Sequence, residues 1–115
     1  MPAMTEGQGE GWGTTDPIEV RQTEVYTRWY AGLRDARAQA RTAACIRRLS
    51  LGNRGDIKPL GGGLSELRID YGPGYRIYIA ERGTALVLLL NGGDKARQRA
   101  DIAWARVLAA EWEPE

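Results

Sequence analysis

The stretch Leu64-Ser65-Glu66-Leu67-Arg68-Ile69-Asp70-Tyr71-Gly72-Pro73-Gly74-Tyr75-Arg76-Ile77-Tyr78-Ile79-Ala80 decides the fold. Its two arms alternate strictly. Ser65, Leu67, Ile69 and Tyr71 fall on one side of the first arm, with Glu66, Arg68 and Asp70 on the other. In the second arm Tyr75, Ile77 and Ile79 alternate with Arg76 and Tyr78. A period of two is the mark of a strand with one face on a core, and Gly72-Pro73-Gly74 is turn chemistry, so the pair reads as a β-hairpin. Burying both apolar sets requires an odd loop. The expected register places Tyr71 opposite Tyr75, Asp70 beside Arg76 and Arg68 beside Tyr78, on a face turned away from the core.

Working outward, Ala85 to Leu90 is wholly apolar, as in a central strand covered on both sides. After Asn91-Gly92-Gly93, Asp94 is placed to cap a helix reaching about Ala110, with Ile102, Ala105, Leu108 and Ala109 inward. Upstream of the hairpin, Ile57-Lys58-Pro59-Leu60 is short and extended, and Asn53-Arg54-Gly55-Asp56 turns the chain after Gly52. Ile18 to Arg21 alternates like a short edge strand. Thr23 then caps a helix to about Asp35, with Val25, Trp29 and Leu33 along one face. A second helix over Ala36 to Leu51 turns Thr42, Cys45, Ile46 and Leu49 inward and Arg34, Arg37, Arg41 and Arg48 outward. The two are expected to form a helical hairpin. The expected order is β-α-α-β-β-β-α, an α+β fold.

The 115 residues suffice for one core and not two. We expect a domain over residues 18–110, a flexible tail over 1–17 and a short acidic tail over 111–115. The net charge of +1 is unevenly spread. Glu6, Glu10 and Asp16 precede residue 18 and Glu111, Glu113 and Glu115 follow residue 110, so the body carries all 16 bases against nine acids. A body at +7 suits a polyanionic partner. No apolar run is long enough for a membrane span, and the N-terminus has neither the basic start nor the apolar stretch of a secretory leader. A single cysteine, Cys45, makes no internal disulfide and no zinc cluster, so a cytoplasmic protein without metal or other cofactor is expected.

Histidine is absent, which excludes a Ser-His-Asp triad and two-histidine ribonuclease chemistry. Metal-free cleavage of RNA by its own 2′-hydroxyl remains open. It needs a base for that hydroxyl, cations for the pentavalent phosphate and an acid for the leaving oxygen. The hairpin face bearing Glu66, Arg68, Arg76 and Tyr78 offers guanidinium groups and a phenol for such work, and equally an ordinary solvated sheet face. Lys58, entering the sheet, could serve as the base. Lys95, Arg97 and Arg99 cluster at the start of the last helix, where basic residues oppose the macrodipole and a phosphate would be held.

The strings Gly52-Asn53-Arg54-Gly55-Asp56-Ile57-Lys58-Pro59-Leu60-Gly61, Ser65-Glu66-Leu67-Arg68-Ile69, Tyr71-Gly72-Pro73-Gly74-Tyr75-Arg76 and Gly92-Gly93-Asp94-Lys95 together resemble the phage-derived "addiction module killer" family. That family lies in the RelE/ParE toxin superfamily with the HigB-type toxins, and the resemblance covers about residues 18–110. It implies a RelE-like α+β fold: an antiparallel sheet with an N-terminal helical hairpin and a C-terminal helix. It implies a type II toxin–antitoxin system in which the toxin is an endoribonuclease, cutting mRNA on translating ribosomes without a metal. A helix-turn-helix antitoxin would be its partner, and operator DNA would be met only through that antitoxin.

By position in these motifs, Arg76 matches a transition-state-stabilising arginine, Arg68 and Lys58 match basic residues of the preceding strands, and Lys95 or Arg97 matches the base after the last strand. The expected catalytic set is Arg76, Arg68, Lys58, Lys95 and Tyr78, with Arg97, Arg99, Arg54 and Glu66 contacting RNA. Where relatives carry a terminal tyrosine or histidine, this chain reads Arg99-Ala100-Asp101-Ile102, leaving that part to Tyr78, to Asp94 or to the cations alone. Two other readings share the fold: a ParE-like toxin that inhibits DNA gyrase without cutting RNA, and a non-catalytic regulator paired with an antitoxin.

Overall fold

The computed structural model describes residues 17–83 and 85–112. Residues 1–16 and 113–115, and with them most of both expected tails, lie outside the described residues. The elements run β1 (Glu19–Gln22), α1 (Glu24–Ala31), α2 (Ala36–Ser50), β2 (Ile57–Gly61), β3 (Leu64–Ile69), β4 (Tyr75–Arg82), β5 (Leu86–Gly93), a single 3₁₀ turn (Lys95–Arg97) and α3 (Gln98–Glu111). One sheet contains all five strands in the order β1-β5-β4-β3-β2. The segment 57–60, read as extended but left out of the strand order, is therefore an edge strand, antiparallel to β3.

The sheet is mixed rather than antiparallel. β1 runs parallel to β5, with Glu19 to Gln22 opposite Leu86 to Leu89. Parallel pairing demands a long connection, and here almost the whole domain supplies it. Thr23 fixes the join. Its N–H donates to Leu89 O and its hydroxyl to Leu90 O, while the same oxygen accepts from Tyr26 N and caps α1.

α1 ends at Ala31, short of the expected Asp35, because Asp35 belongs to the next helix. Its carboxylate accepts from Arg37 N at 2.9 Å and Ala38 N at 3.4 Å, capping α2. The inward residues of α1 are Tyr26, Trp29 and Tyr30, not Val25, Trp29 and Leu33. In α2, Ala38, Thr42 and Leu49 are buried, with Cys45 and Ile46 packed beside them. These helices and the side chains of Leu67, Ile69, Ile77, Ile79, Val87 and Leu89 form the core on one face of the sheet.

The hairpin register differs from expectation by two residues. Ile69 faces Tyr75, Arg68 faces Arg76 and Glu66 faces Tyr78. Tyr71 has left the ladder: its hydroxyl donates to Asp35 Oδ2 at 2.8 Å and the guanidinium of Arg41 lies 5.1 Å from its ring centre. That anchor lengthens the loop to residues 70–74, turned by Gly72 and Gly74 at positive φ. A slip of two keeps every side chain on its face, so the pattern survived while the partners changed.

The second face is also covered. Asp94 caps only the 3₁₀ turn, accepting from Ala96 N at 3.0 Å, and α3 starts afresh at Gln98. α3 lies over Leu64, Tyr78, Ala80, Leu88 and Leu90 through Ala105, Ile102, Leu108 and Ala109, with Trp112 extending the contact beyond Ala110. The expected exposed sheet is thus a second core. One extra residue in β5, where the register shifts between Tyr78 and Ile79, lets both Leu90 and Asn91 turn toward α3.

Candidate nucleic-acid site

Arg68 and Arg76 are direct cross-strand neighbours, so their side chains leave the same face of the sheet. Each is held by a carboxylate of different character. Arg68 Nη2 donates to Asp56 Oδ1 at 3.0 Å, and both side chains are well exposed. Arg76 Nε donates to Glu66 Oε2 in a short ion pair, with side-chain exposures of 11% and 1%. Arg76 Nη1 donates to Gly74 O at 2.7 Å, which leaves Nη2 with no hydrogen-bond partner among the described residues. Gln98 Nε2 completes the anchor from the first turn of α3, donating to both oxygens of Glu66 at 3.1 Å. A guanidinium tethered at two nitrogens and free at the third is preorganised for a phosphate oxygen.

Lys95 stands beside this guanidinium. A Cβ built on Gly74 would lie 3.2 Å from Arg76 Nη1 and 3.4 Å from Lys95 Cβ, so the root of the Lys95 side chain and the Arg76 guanidinium flank the same glycine. Lys95 N also approaches Pro73 O at 3.4 Å, which fixes the 3₁₀ turn to the hairpin tip. Lys58, exposed on β2, is the cross-strand partner of Glu66. Arg97 and Arg99 are exposed at the start of α3.

Three expected positions differ. Glu66 was expected to meet RNA from an exposed face; it is buried and fully engaged by Arg76 and Gln98, because α3 closes over it. Tyr78 is wholly buried in the second core, and its hydroxyl has no hydrogen-bond partner among the described residues. Burial, then the Glu66 and Asp101 carboxylates, hold that phenol protonated well above its ordinary range. Arg54 pairs with Glu81 at 2.7 Å. Glu81 alternates with Ile77 and Ile79 on the α1/α2 side, so Arg54 lies away from Arg76.

The sequence reading missed Gln98, Asn91 and Asp101. Asn91 is fully buried, with Nδ2 donating to Asp101 O at 3.1 Å while its Oδ1 has no partner. The Asp101 carboxylate is nearly sealed, with 5% of its side chain exposed, and no hydrogen bond reaches either oxygen among the described residues. Burial raises its pKa above the usual carboxylate range, the Arg97 guanidinium opposes that, and Asp94 adds to it. One sequence signal was available for Asp101. Gly92-Gly93 marks backbone that neighbours approach closely: a Cβ on Gly92 would overlap the Trp29 ring, and one on Gly93 would overlap Asp101 Oδ2. Among the described residues no group of His, Cys, Asp and Glu is arranged to hold a metal, and no helix is long and apolar enough to cross a membrane.

No family model matches the chain. A protein of Haemophilus influenzae, described as uncharacterized, is 46% identical over 94 residues, which are 82% of this chain and 95% of that protein. Among solved structures, the RelBE2 toxin–antitoxin complex of Mycobacterium tuberculosis superposes with a TM-score of 0.48 at 20% identity, over 73% of this chain and 98% of the matched chain. A likeness of that degree carries no functional argument.

Proposed function

The chain belongs to one family with that Haemophilus influenzae protein, and we propose that it is the toxin of a type II toxin–antitoxin pair, a metal-independent endoribonuclease acting on mRNA at translating ribosomes. The observation that carries this reading is the Arg76 guanidinium, tied through Nε and Nη1, with Arg68 across the ladder and Lys95 across Gly74. Basic side chains gathered on neighbouring elements suit a phosphodiester whose charge grows in the transition state. The linked motifs resembling addiction module killers support the same conclusion.

In this proposal the RNA's 2′-hydroxyl attacks the adjacent phosphorus while Arg76 and Arg68 hold the non-bridging oxygens. Lys95 is placed to manage the proton of the leaving 5′-oxygen, and Lys58, across β3, is the candidate base. Arg97 and Arg99 bind flanking phosphates. Glu66 orients Arg76 and does not touch RNA. A helix-turn-helix antitoxin is the proposed partner, covering this surface and carrying any contact with operator DNA.

The test is to incubate the purified protein with translating ribosomes and to map mRNA ends. Cleavage by the parent protein, lost in Arg76→Lys, is the expected result. Intact mRNA beside stalled gyrase would overturn it in favour of a ParE-like activity.

A further inference from the structure

A second opening lies beside this site, between α1, the end of β5 and α3. It is an open groove of about 550 Å³ that runs round the free edge of β5, lined by Trp29 and Tyr75 on one side of the strand and by Trp104 and Asp101 on the other, with Arg28 and Arg97 also in the lining. That volume falls within the range of ordinary small-molecule pockets. Its apolar lining is aromatic. Trp29 and Tyr75 meet edge to face at 6.3 Å, and Gly92 lets the Trp29 ring sit directly on the strand. Trp104 is 47% exposed, on the same helix as Asp101 and three residues after it. An exposed tryptophan is a stacking platform without a stack.

Asp101 supplies the polar half of the argument. A sealed carboxylate without a hydrogen bond is a costly group to keep. Its Oδ2 is shut against Gly93, so Oδ1 is the oxygen open to the cavity, and the nearest cation, Arg97 Nε, is 3.9 Å away. Oδ1 therefore lacks a donor at hydrogen-bond distance. A ligand that fits must bring a flat ring and an N–H.

We propose that this opening holds a nucleobase bearing an exocyclic amino group, stacked on Trp104 and donating its amino hydrogen to Asp101 Oδ1, with its phosphate toward Arg97. Adenine qualifies and unsubstituted purine, which has neither the amino group nor a hydrogen on N1, does not. The base reaches the pocket either within an RNA strand or as a free nucleotide. Only the strand arm rests on the endoribonuclease reading.

The experiment titrates the full chain with adenosine 5′-monophosphate and purine riboside 5′-monophosphate, following tryptophan fluorescence. The adenine nucleotide should bind roughly tenfold more tightly than the purine nucleotide. Trp104→Ala should weaken it by roughly tenfold through lost stacking. Asp101→Ala should erase the preference between the two nucleotides while Trp104→Ala retains it. The trinucleotide ApApA tells the sources apart: tighter binding than the mononucleotide points to a strand, equal binding to a free nucleotide. Equal affinity for the adenine and purine nucleotides in the unmodified protein, or no response to either up to millimolar concentrations, overturns the proposal. Because binding is read without cleavage, an inactive protein that still prefers adenine would refute the nuclease reading and leave this one standing.

Discussion

Glu66 on β3 and Arg76 on β4 form an ion pair that α3 has closed over, with Gln98 the only other side chain among the described residues that is bonded to the carboxylate. Removing one member strands the other. Arg76→Ala should therefore lower stability by about 3–5 kcal/mol, since an uncompensated buried carboxylate remains. The doubly neutral Glu66→Gln, Arg76→Gln protein should recover most of that loss. Chemical denaturation of all variants measures it. If Arg76→Ala unfolds at the same denaturant concentration as the parent, the pair is not structurally coupled. Arg76→Lys is for this reason the cleaner probe of activity.

Tyr78→Phe deletes a hydroxyl that has no partner among the described residues. Deleting an unsatisfied buried group is neutral or stabilising. The melting temperature should hold or rise by a few degrees, and growth arrest on induction should persist. Loss of growth arrest in a folded Phe variant would restore the phenol to the chemistry.

Gly92 and Gly93 close the space that Trp29 and Asp101 occupy from opposite faces. Either alanine substitution forces neighbours apart and should cost about 1–3 kcal/mol or more. Pairing Gly92→Ala with Trp29→Leu should return part of the loss, because the smaller side chain withdraws from the strand. Thermal unfolding of the single and double variants reads the coupling.

Asp101→Asn should stabilise the fold at neutral pH, by about 1 kcal/mol, by removing a buried charge without a donor and offering an amide instead. Its folded-state pKa is raised, so above that value the folded protein carries an ionised group that the unfolded chain solvates better. The advantage of asparagine should accordingly shrink as pH falls through the folded-state value and then the unfolded one, where both states are protonated. Unfolding curves at neutral and acid pH test this. An advantage that grows on acidification contradicts it.

The periodicity of residues 64–80 and the apolar run at 85–90 were enough to find three strands and to place their faces, because side-chain alternation is a local property. What sequence left illegible was long-range. Nothing local says that Tyr71 abandons its strand for Asp35, which moved Arg76 from Asp70 to Arg68. Nothing in Glu66-Leu67-Arg68 says that a helix thirty residues later covers the glutamate and spares the arginine. Polar residues opposite an apolar face look solvated until a second layer is known, so Tyr78 was misjudged. The parallel seat of β1 was hidden for the same reason, since its partner lies almost seventy residues away.

That seat has a temporal side. The acceptor row for Glu19 to Gln22 is the outer edge of Leu86 to Leu89, which emerges from synthesis almost seventy residues after its partner. A nascent polypeptide halted before those residues has no place for its first strand, and closing so long a loop slows any productive nucleus. Thr23, Tyr26 and Trp29 are anchored through the same late strand. Products truncated before β5 would therefore lack the seated α1, so the first strand and helix are productive only once residues 86–90 have been made.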